Sequence, residues 1–262
     1  MAFQTRDILG VNVHQISLDQ LRKTCVDWFS SSSSHHIVTV NPEYVMAAQH
    51  DTTFATVLGN ADIAIADGEG IVKASKYLYG AQGKLERITG TDFSWDLARL
   101  CAQYGKRMYL LGGRSDEVVQ KAGLAFRRAY PELKIVGMRG GVSKQGSSEP
   151  YFAEFAKQEE METILDEIRT SAPDVLLVAY GAPTQDIWIA RYLKELPSIK
   201  IAIGVGGALD YVAGVVPRAS RWMRALGLEW LFRLINQPIR RWRRIVTATI
   251  AFPHAVRKAK QK

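Results

Sequence analysis

A single acid interrupts an otherwise apolar stretch. Ile63-Ala64-Ile65-Ala66 runs straight into Asp67-Gly68-Glu69-Gly70. A short apolar run of this kind reads as a buried parallel strand. In open α/β sheets ligands bind beyond the carboxyl ends of such strands. Asp67 therefore stands where a carboxylate can take a proton, and Gly68 and Gly70 let a second molecule or backbone come close. From this stretch alone the bland alternative comes first: Asp67 caps a helix starting near Ile71.

Other strand ends carry similar polar residues. His36-Ile37-Val38-Thr39-Val40 is a β-branched strand stopping at Asn41-Pro42. Asn at an N-cap with Pro at the first helical position is a helix start. Thr39 and Asn41 thus fall at a carboxyl end, where their plain roles are strand filler and cap. Arg87 lies in a loop, Lys84 to Thr91, between glycines. There it is either solvated surface or a clamp on an anion. Two later turns, Gly181-Ala182-Pro183-Thr184-Gln185 and Gly206-Gly207-Ala208-Leu209-Asp210, each follow an apolar run. Glycine turns at strand ends suit phosphate binding by backbone N–H groups. No turn gives Gly-x-Gly-x-x-Gly followed by an acid ~20 residues on, the dinucleotide fingerprint. Walker-A, His-Glu-x-x-His and Gly-x-Ser-x-Gly patterns are absent, and the five histidines do not cluster as metal ligands.

The elements that must position these residues alternate along the chain. Asp7–Val13 reads as a first strand and Leu18–Phe29 as an amphipathic helix. Pro42–Gln49 and Asp92–Tyr104 read as helices, with Arg107–Leu111 a strand followed by the glycine turn Gly112-Gly113. Ser115 caps a helix over Asp116–Tyr130, which Pro131 ends. Strands are expected from Lys134, over Asp174–Ala179 and over Ile199–Val205, with helices over Glu159–Thr170 and up to Leu193. Gly137–Ser148 reads as a loop. Strands alternating with helices argue an α/β fold: a doubly wound, mostly parallel, Rossmann-like sheet.

The chain of 262 residues carries a net charge of +8, unevenly spread. From Arg218 to Lys262 there are 12 Lys and Arg against one acid, Glu229, whereas residues 1–217 sum to −3. That divides the chain into an α/β body, 1–217, and a basic appendage, 218–262. Within the appendage Ile239, Trp242, Val246 and Ile250 recur at helical spacing, with Arg240, Arg241, Arg243 and Arg244 largely opposite. Trp222, Trp230 and Trp242 add aromatic anchors. A basic face, an apolar face and tryptophan describe a helix lying in a membrane interface; the alternative is a helix packed on the body with its arginines solvated. Nothing reaches the ~20 apolar residues that span a bilayer. Two isolated cysteines and a start without a signal pattern point to a reducing, cytoplasmic setting.

Several segments together resemble the WecG/TagA/CpsF glycosyltransferases (glycosyltransferase family 26). They are Thr39-Val40-Asn41-Pro42-Glu43, Ala66-Asp67-Gly68-Glu69-Gly70 and Glu86-Arg87-Ile88-Thr89-Gly90, followed by Gly181-Ala182-Pro183-Thr184-Gln185-Asp186, Gly204-Val205-Gly206-Gly207 and Gly227 to Leu234. They keep the family's order across nearly the whole chain. The family pattern has Glu where this chain has Asp186, and Arg-Ala-Pro where it has Arg218-Ala219-Ser220.

The resemblance implies an inverting hexosyltransferase without metal or other cofactor. Its donor would be a UDP-sugar of N-acetylmannosamine type, and its acceptor a polyprenyl-diphosphate-linked sugar in cell-envelope polysaccharide or teichoic acid linkage synthesis. By the same match Asp67 would be the general base, Thr39, Asn41 and Gln185 would line the sugar site, and Arg87 would touch a diphosphate. Gly206, Gly207 and Asp210 join the substrate-binding set, and Arg233, Arg240 and Arg243 of the appendage complete it around a phosphate. The enzyme would sit peripherally on the cytoplasmic face of the membrane, with no nucleic-acid partner and with room for a homo-oligomer. Two other classes compete. A nucleic-acid-binding protein would use the basic appendage but leave Asp67 idle. An NAD-dependent oxidoreductase lacks its fingerprint.

Overall fold

The computed structural model describes residues 3–140, 158–217 and 246–261, together with positions 223 and 232. The sheet has six strands, in the order β4-β3-β8-β7-β5-β6. They are β3 (His35–Val40), β4 (Ile63–Ala66), β5 (Arg107–Gly112), β6 (Lys134–Arg139), β7 (Val175–Ala179) and β8 (Ile201–Gly204). The pairs β3–β8, β8–β7, β7–β5 and β5–β6 all run parallel. Strands flanked by helices must be apolar on both faces, and β4, β7 and β8 are buried at every residue. The doubly wound α/β expectation is met.

The chain divides into two compact units. The first comprises the described residues of Met1–Ser17, Thr39–Thr89 and Pro217–Lys262. It opens on a hairpin, β1 (Thr5–Ile8) and β2 (Val11–His14), where the sequence reads as one strand over Asp7–Val13. Leu9 (φ 55°) and Gly10 (φ 83°) reverse the chain, and the Gly10 N–H donates to Asp7 Oδ1 at 2.8 Å. Positive φ at both central residues is the hairpin turn geometry. Asn41 caps α2 (Pro42–Ala48) as expected: its side chain accepts from Glu43 N and Tyr44 N. Asp51 then caps α3 (Thr52–Asn60), and α4 (Glu69–Tyr79) follows β4. The C-terminal helix Phe252–Lys260 belongs to this unit and packs on α2 and α4 through buried Phe252 and Val256. Lys260 Nζ donates to Tyr77 O at 2.6 Å and lies over the Tyr77 ring. No described helix is long and apolar enough to cross a membrane.

His14 ties the hairpin to the sheet. Its Nδ1 accepts the Ala64 N–H at 2.9 Å, so protonation there would break the bond. Burial holds the imidazole below its ordinary 6.5. A base whose folded pKa is depressed binds fewer protons folded than unfolded, so its stabilising contribution is complete above 6.5 and is lost as pH falls below that value. Urea midpoints of the wild type and His14→Gln, compared at neutral pH and at about pH 5, should show the wild type losing more stability on acidification. Equal losses would remove His14 from the pH response.

The second unit comprises Leu18–Val38 and Gly90–Val216. It contains α1 (Leu18–Trp28), α5 (Gly90–Gln103), α6 (Asp116–Ala129), α7 (Gln158–Ser171), α8 (Thr184–Tyr192) and the short α9 (Ala208–Val212). Ser115 caps α6 by accepting from Val118 N, as the sequence predicts. One face of β5, β7 and β8 meets α7 and α8 in a core built on Leu111, Ile164, Leu165, Leu176, Val178 and the fully buried Trp188. The Trp188 indole N–H finds Met161 Sδ at 3.3 Å, which satisfies the one polar atom of that ring.

Candidate active site

In the first unit, three backbone segments end side by side. β4 delivers its last residue, Ala66, and the following Asp67 N–H donates to Val40 O at 2.8 Å, stitching it to the end of β3. Arg87 pairs in parallel with Ala66, and the Ile88 N–H donates to Ala66 O at 3.0 Å. The segment around Arg87 is therefore not a free loop but an added edge on β4. Thr39, Asn41, Asp67 and Arg87 come together at one end of these strands. Asp67, Asn41 and Arg87 are half-buried there, and Thr39 is buried.

The glycines after Asp67 have separate physical reasons. Gly68 has φ 118°, a backbone conformation that strains any side chain, and it is the N-cap of α4 without a side-chain cap bond. The cap of α4 is thus not Asp67. At Gly70 a Cβ would stand 2.7 Å from Pro42 Cγ, so the first turns of α2 and α4 touch. That contact keeps the ends of β3 and β4 adjacent. Asn41 spends its Oδ1 on the amides of Glu43 and Tyr44, at 3.0 and 3.1 Å. Any part it takes toward a substrate falls to its Nδ2 donors.

In the second unit, Gln185 organises two turns. Its Oε1 accepts from Gly181 N at 3.1 Å and from Gly206 N at 2.8 Å. Those amides follow β7 and β8, and both glycines have positive φ, 86° and 52°. Gln185 is only 1% exposed. Its carbonyl oxygen shapes the turns from beneath, a post the sequence does not disclose when it places Gln185 in the sugar site. Gly207 precedes α9, and Asp210 lies on that helix, 8% exposed. Asp210 Oδ2 is paired with Arg114 Nε at 2.8 Å, while among the described residues no donor reaches Asp210 Oδ1. A buried acceptor left so costs about 1–3 kcal/mol, a cost that a ligand N–H would remove.

The sequence marks Arg114 only by its place in Gly112-Gly113-Arg114 after a strand. The close stitching of β5 to β7 requires those glycines. A Cβ on Gly112 (φ 97°) would stand 2.7 Å from the Ala179 carbonyl carbon, and the Gly113 N–H donates to Ala179 O at 2.9 Å. Nothing in the sequence marks His36 as a partner of Asp186; its Nε2 lies 3.3 Å from Asp186 Oδ1. Arg233, Arg240 and Arg243 lie outside the described residues, as does most of the amphipathic stretch around Trp242. Its described end shows Val246 and Ile250 exposed, at 42% and 64%.

Comparison with known proteins adds a name to this geometry. The model of the "Glycosyl transferase WecG/TagA/CpsF family" matches residues 6–262. Proteins of Staphylococcus aureus strains MW2, NCTC 8325 / PS 47 and MRSA252 are each 29% identical to this chain over 260 residues, covering 98% of it and 93% of their own length. Each of them is named N-acetylglucosaminyldiphosphoundecaprenol N-acetyl-beta-D-mannosaminyltransferase.

Proposed function

The chain belongs to the WecG/TagA/CpsF family of glycosyltransferases, and from that premise we propose that it moves an N-acetylmannosamine-type sugar from a UDP-sugar onto a lipid-linked sugar diphosphate. The acceptor class follows from the names of the S. aureus relatives, which specify an N-acetylglucosaminyl-diphospho-undecaprenol. The observation that carries the reading is the convergence of Thr39, Asn41, Asp67 and Arg87 at the shared end of β3, β4 and the Arg87 segment.

In this reading Asp67 is the general base. The acceptor hydroxyl attacks the anomeric carbon from the face opposite the nucleotide. The new C–O bond forms as the bond from that carbon to the diphosphate oxygen breaks, and the configuration inverts. The hydroxyl proton passes to the Asp67 carboxylate. UDP leaves with growing negative charge, which needs donors fixed in place beforehand. Arg87 supplies a planar fork of N–H groups suited to a diphosphate. Asn41 Nδ2 and Thr39 address sugar hydroxyl or amide groups. Gly206 and Gly207, in a turn tied down by Gln185, offer backbone to the nucleotide. Asp210 Oδ1 has the chemistry to accept the imide N–H of a uracil, with Arg114 holding the carboxylate's other oxygen. Arg233, Arg240 and Arg243 complete the phosphate surroundings when the appendage meets the membrane, which places the enzyme peripherally on the leaflet that holds its lipid acceptor.

A panel of UDP-sugars, offered with a synthetic lipid diphosphate-N-acetylglucosamine acceptor, tests this. Transfer from UDP-N-acetylmannosamine with inversion is the expected result. Absence of transfer from every UDP-sugar, with an acceptor of this class present, would overturn it.

A further inference from the structure

One buried polar pair takes no part in the reaction just described. His36 lies inside β3, and Asp186 lies in the first turn of α8. They are separated by 150 residues in sequence, and their side chains are 7% and 0% exposed. A carboxylate can only accept, so the imidazole Nε2–H donates to Asp186 Oδ1. A carboxylate this deep is tolerated only with hydrogen-bonding partners. The residue before it is Gln185, whose Oε1 gathers the Gly181 and Gly206 amides.

The end of β8 is shaped to receive this pair of side chains. A Cβ on Gly204 would fall 2.5 Å from both Asp186 Oδ1 and Gln185 Nε2. The strand is bare at that position because the first turn of α8 lies directly against it. His36 stands opposite Ala202 in the β3–β8 register, two residues before Gly204. Successive side chains alternate between faces, so Ala202 and Gly204 share one. His36 therefore reaches across from β3 to the carboxylate resting on Gly204.

We propose that His36 is a positioning residue for nucleotide binding. By anchoring Asp186 it fixes the first turn of α8, and with it the Gln185 carboxamide that holds the Gly181 and Gly206 turns in their ligand-binding form. The inference rests on the reading of those turns as part of the UDP-sugar cradle. His36 touches no substrate and acts through Asp186 and Gln185. Its loss is felt as a looser cradle, so donor affinity falls more than the rate of the bound complex.

Two measurements on the full-length protein test it: titration with UDP, and amide hydrogen exchange at Gly181 and Gly206 followed by NMR. His36→Phe keeps a ring but offers no N–H. We expect UDP to bind about tenfold more weakly and both glycine amides to exchange about tenfold faster, the effect of losing roughly one net hydrogen bond. His36→Gln restores a donor of similar reach and should return both readouts close to wild type. A folded His36→Phe protein whose Gly181 and Gly206 amides exchange as in the wild type overturns the inference, even if its melting temperature drops. Should His36→Phe not fold, Asp186→Leu, which has no acceptor for the imidazole N–H, carries the test, with accelerated exchange at the two glycines expected and unchanged exchange decisive against. If the wild type itself fails to bind UDP, the proposed function falls, and the exchange comparison still decides whether His36 positions the turns.

Discussion

Asp67→Asn should lower sugar transfer by about 10²–10⁴-fold, the usual worth of a positioned general base, while the dissociation constant for the UDP-sugar changes by no more than about twofold. The substitution suits the site because it removes the proton acceptor. Asn has the shape of Asp, and the backbone bond from Asp67 N to Val40 O survives it. The helix that follows takes Gly68 as its N-cap, with no side-chain cap bond to lose. Its backbone angle at Gly68, φ 118°, is set by glycine and not by the acid. Melting curves of both proteins separate any change in stability from the loss of chemistry. Product formation should be followed with a synthetic lipid-linked acceptor, alongside direct titration of the donor. Turnover within about tenfold of wild type would fall below the range for a general base and strip Asp67 of that role. A lost donor affinity with an unchanged rate in the bound complex would place Asp67 in binding instead.

The parts of this site that the sequence disclosed are those set by local chemistry. An apolar run that stops at Asp67 needs only four residues to be recognised as β4. Asn41-Pro42 and Ser115 announce their helices because a cap is made with amides two or three residues away. The hairpin at the N-terminus stayed hidden for the converse reason. Asn-Gly or Asp-Gly advertises such a turn, but here Leu9 takes the left-handed position, and the alternation on either side reads as one strand. Helix α3 is hidden in the sequence because Thr52, Thr53, Thr56 and Val57 are β-branched, which lowers helical propensity, and Asp51 alone marks its start. What sequence reading could not reach was pairing at a distance. Arg87 is an edge of β4 only because Ala66 lies beside it. Gln185 is recognisable in its motif, yet its commitment to two glycine amides appears only when β7 and β8 are side by side. The Arg114–Asp210 pair spans 96 residues and the His36–Asp186 pair 150. No periodicity reports either.

Replacing Arg240, Arg241, Arg243 and Arg244 together by glutamate should abolish binding to anionic vesicles in a pelleting assay while leaving a folded protein. Each arginine near an anionic leaflet contributes about 1 kcal/mol, so removing four is worth close to a thousandfold in partition, and reversing their sign adds repulsion. In the sequence reading the apolar half of the interaction would come from Ile239, Trp242, Val246 and Ile250, which recur at helical spacing. The described members of this set, Val246 and Ile250, are left open to solvent at 42% and 64%, a cost that insertion into a headgroup region would relieve. Charge reversal is a better test than truncation after Pro217. The last helix buries Phe252 and Val256 against α2 and α4, so cutting it away would bare the underside of the elements that hold Asn41 and Asp67. A truncated protein could lose activity through that damage alone. The reversed protein keeps the packing and should still bind UDP, yet should transfer poorly to acceptor held in vesicles and better to a water-soluble acceptor with a shortened lipid. Pelleting as complete as that of the wild type would show that these arginines do not hold the enzyme to the bilayer.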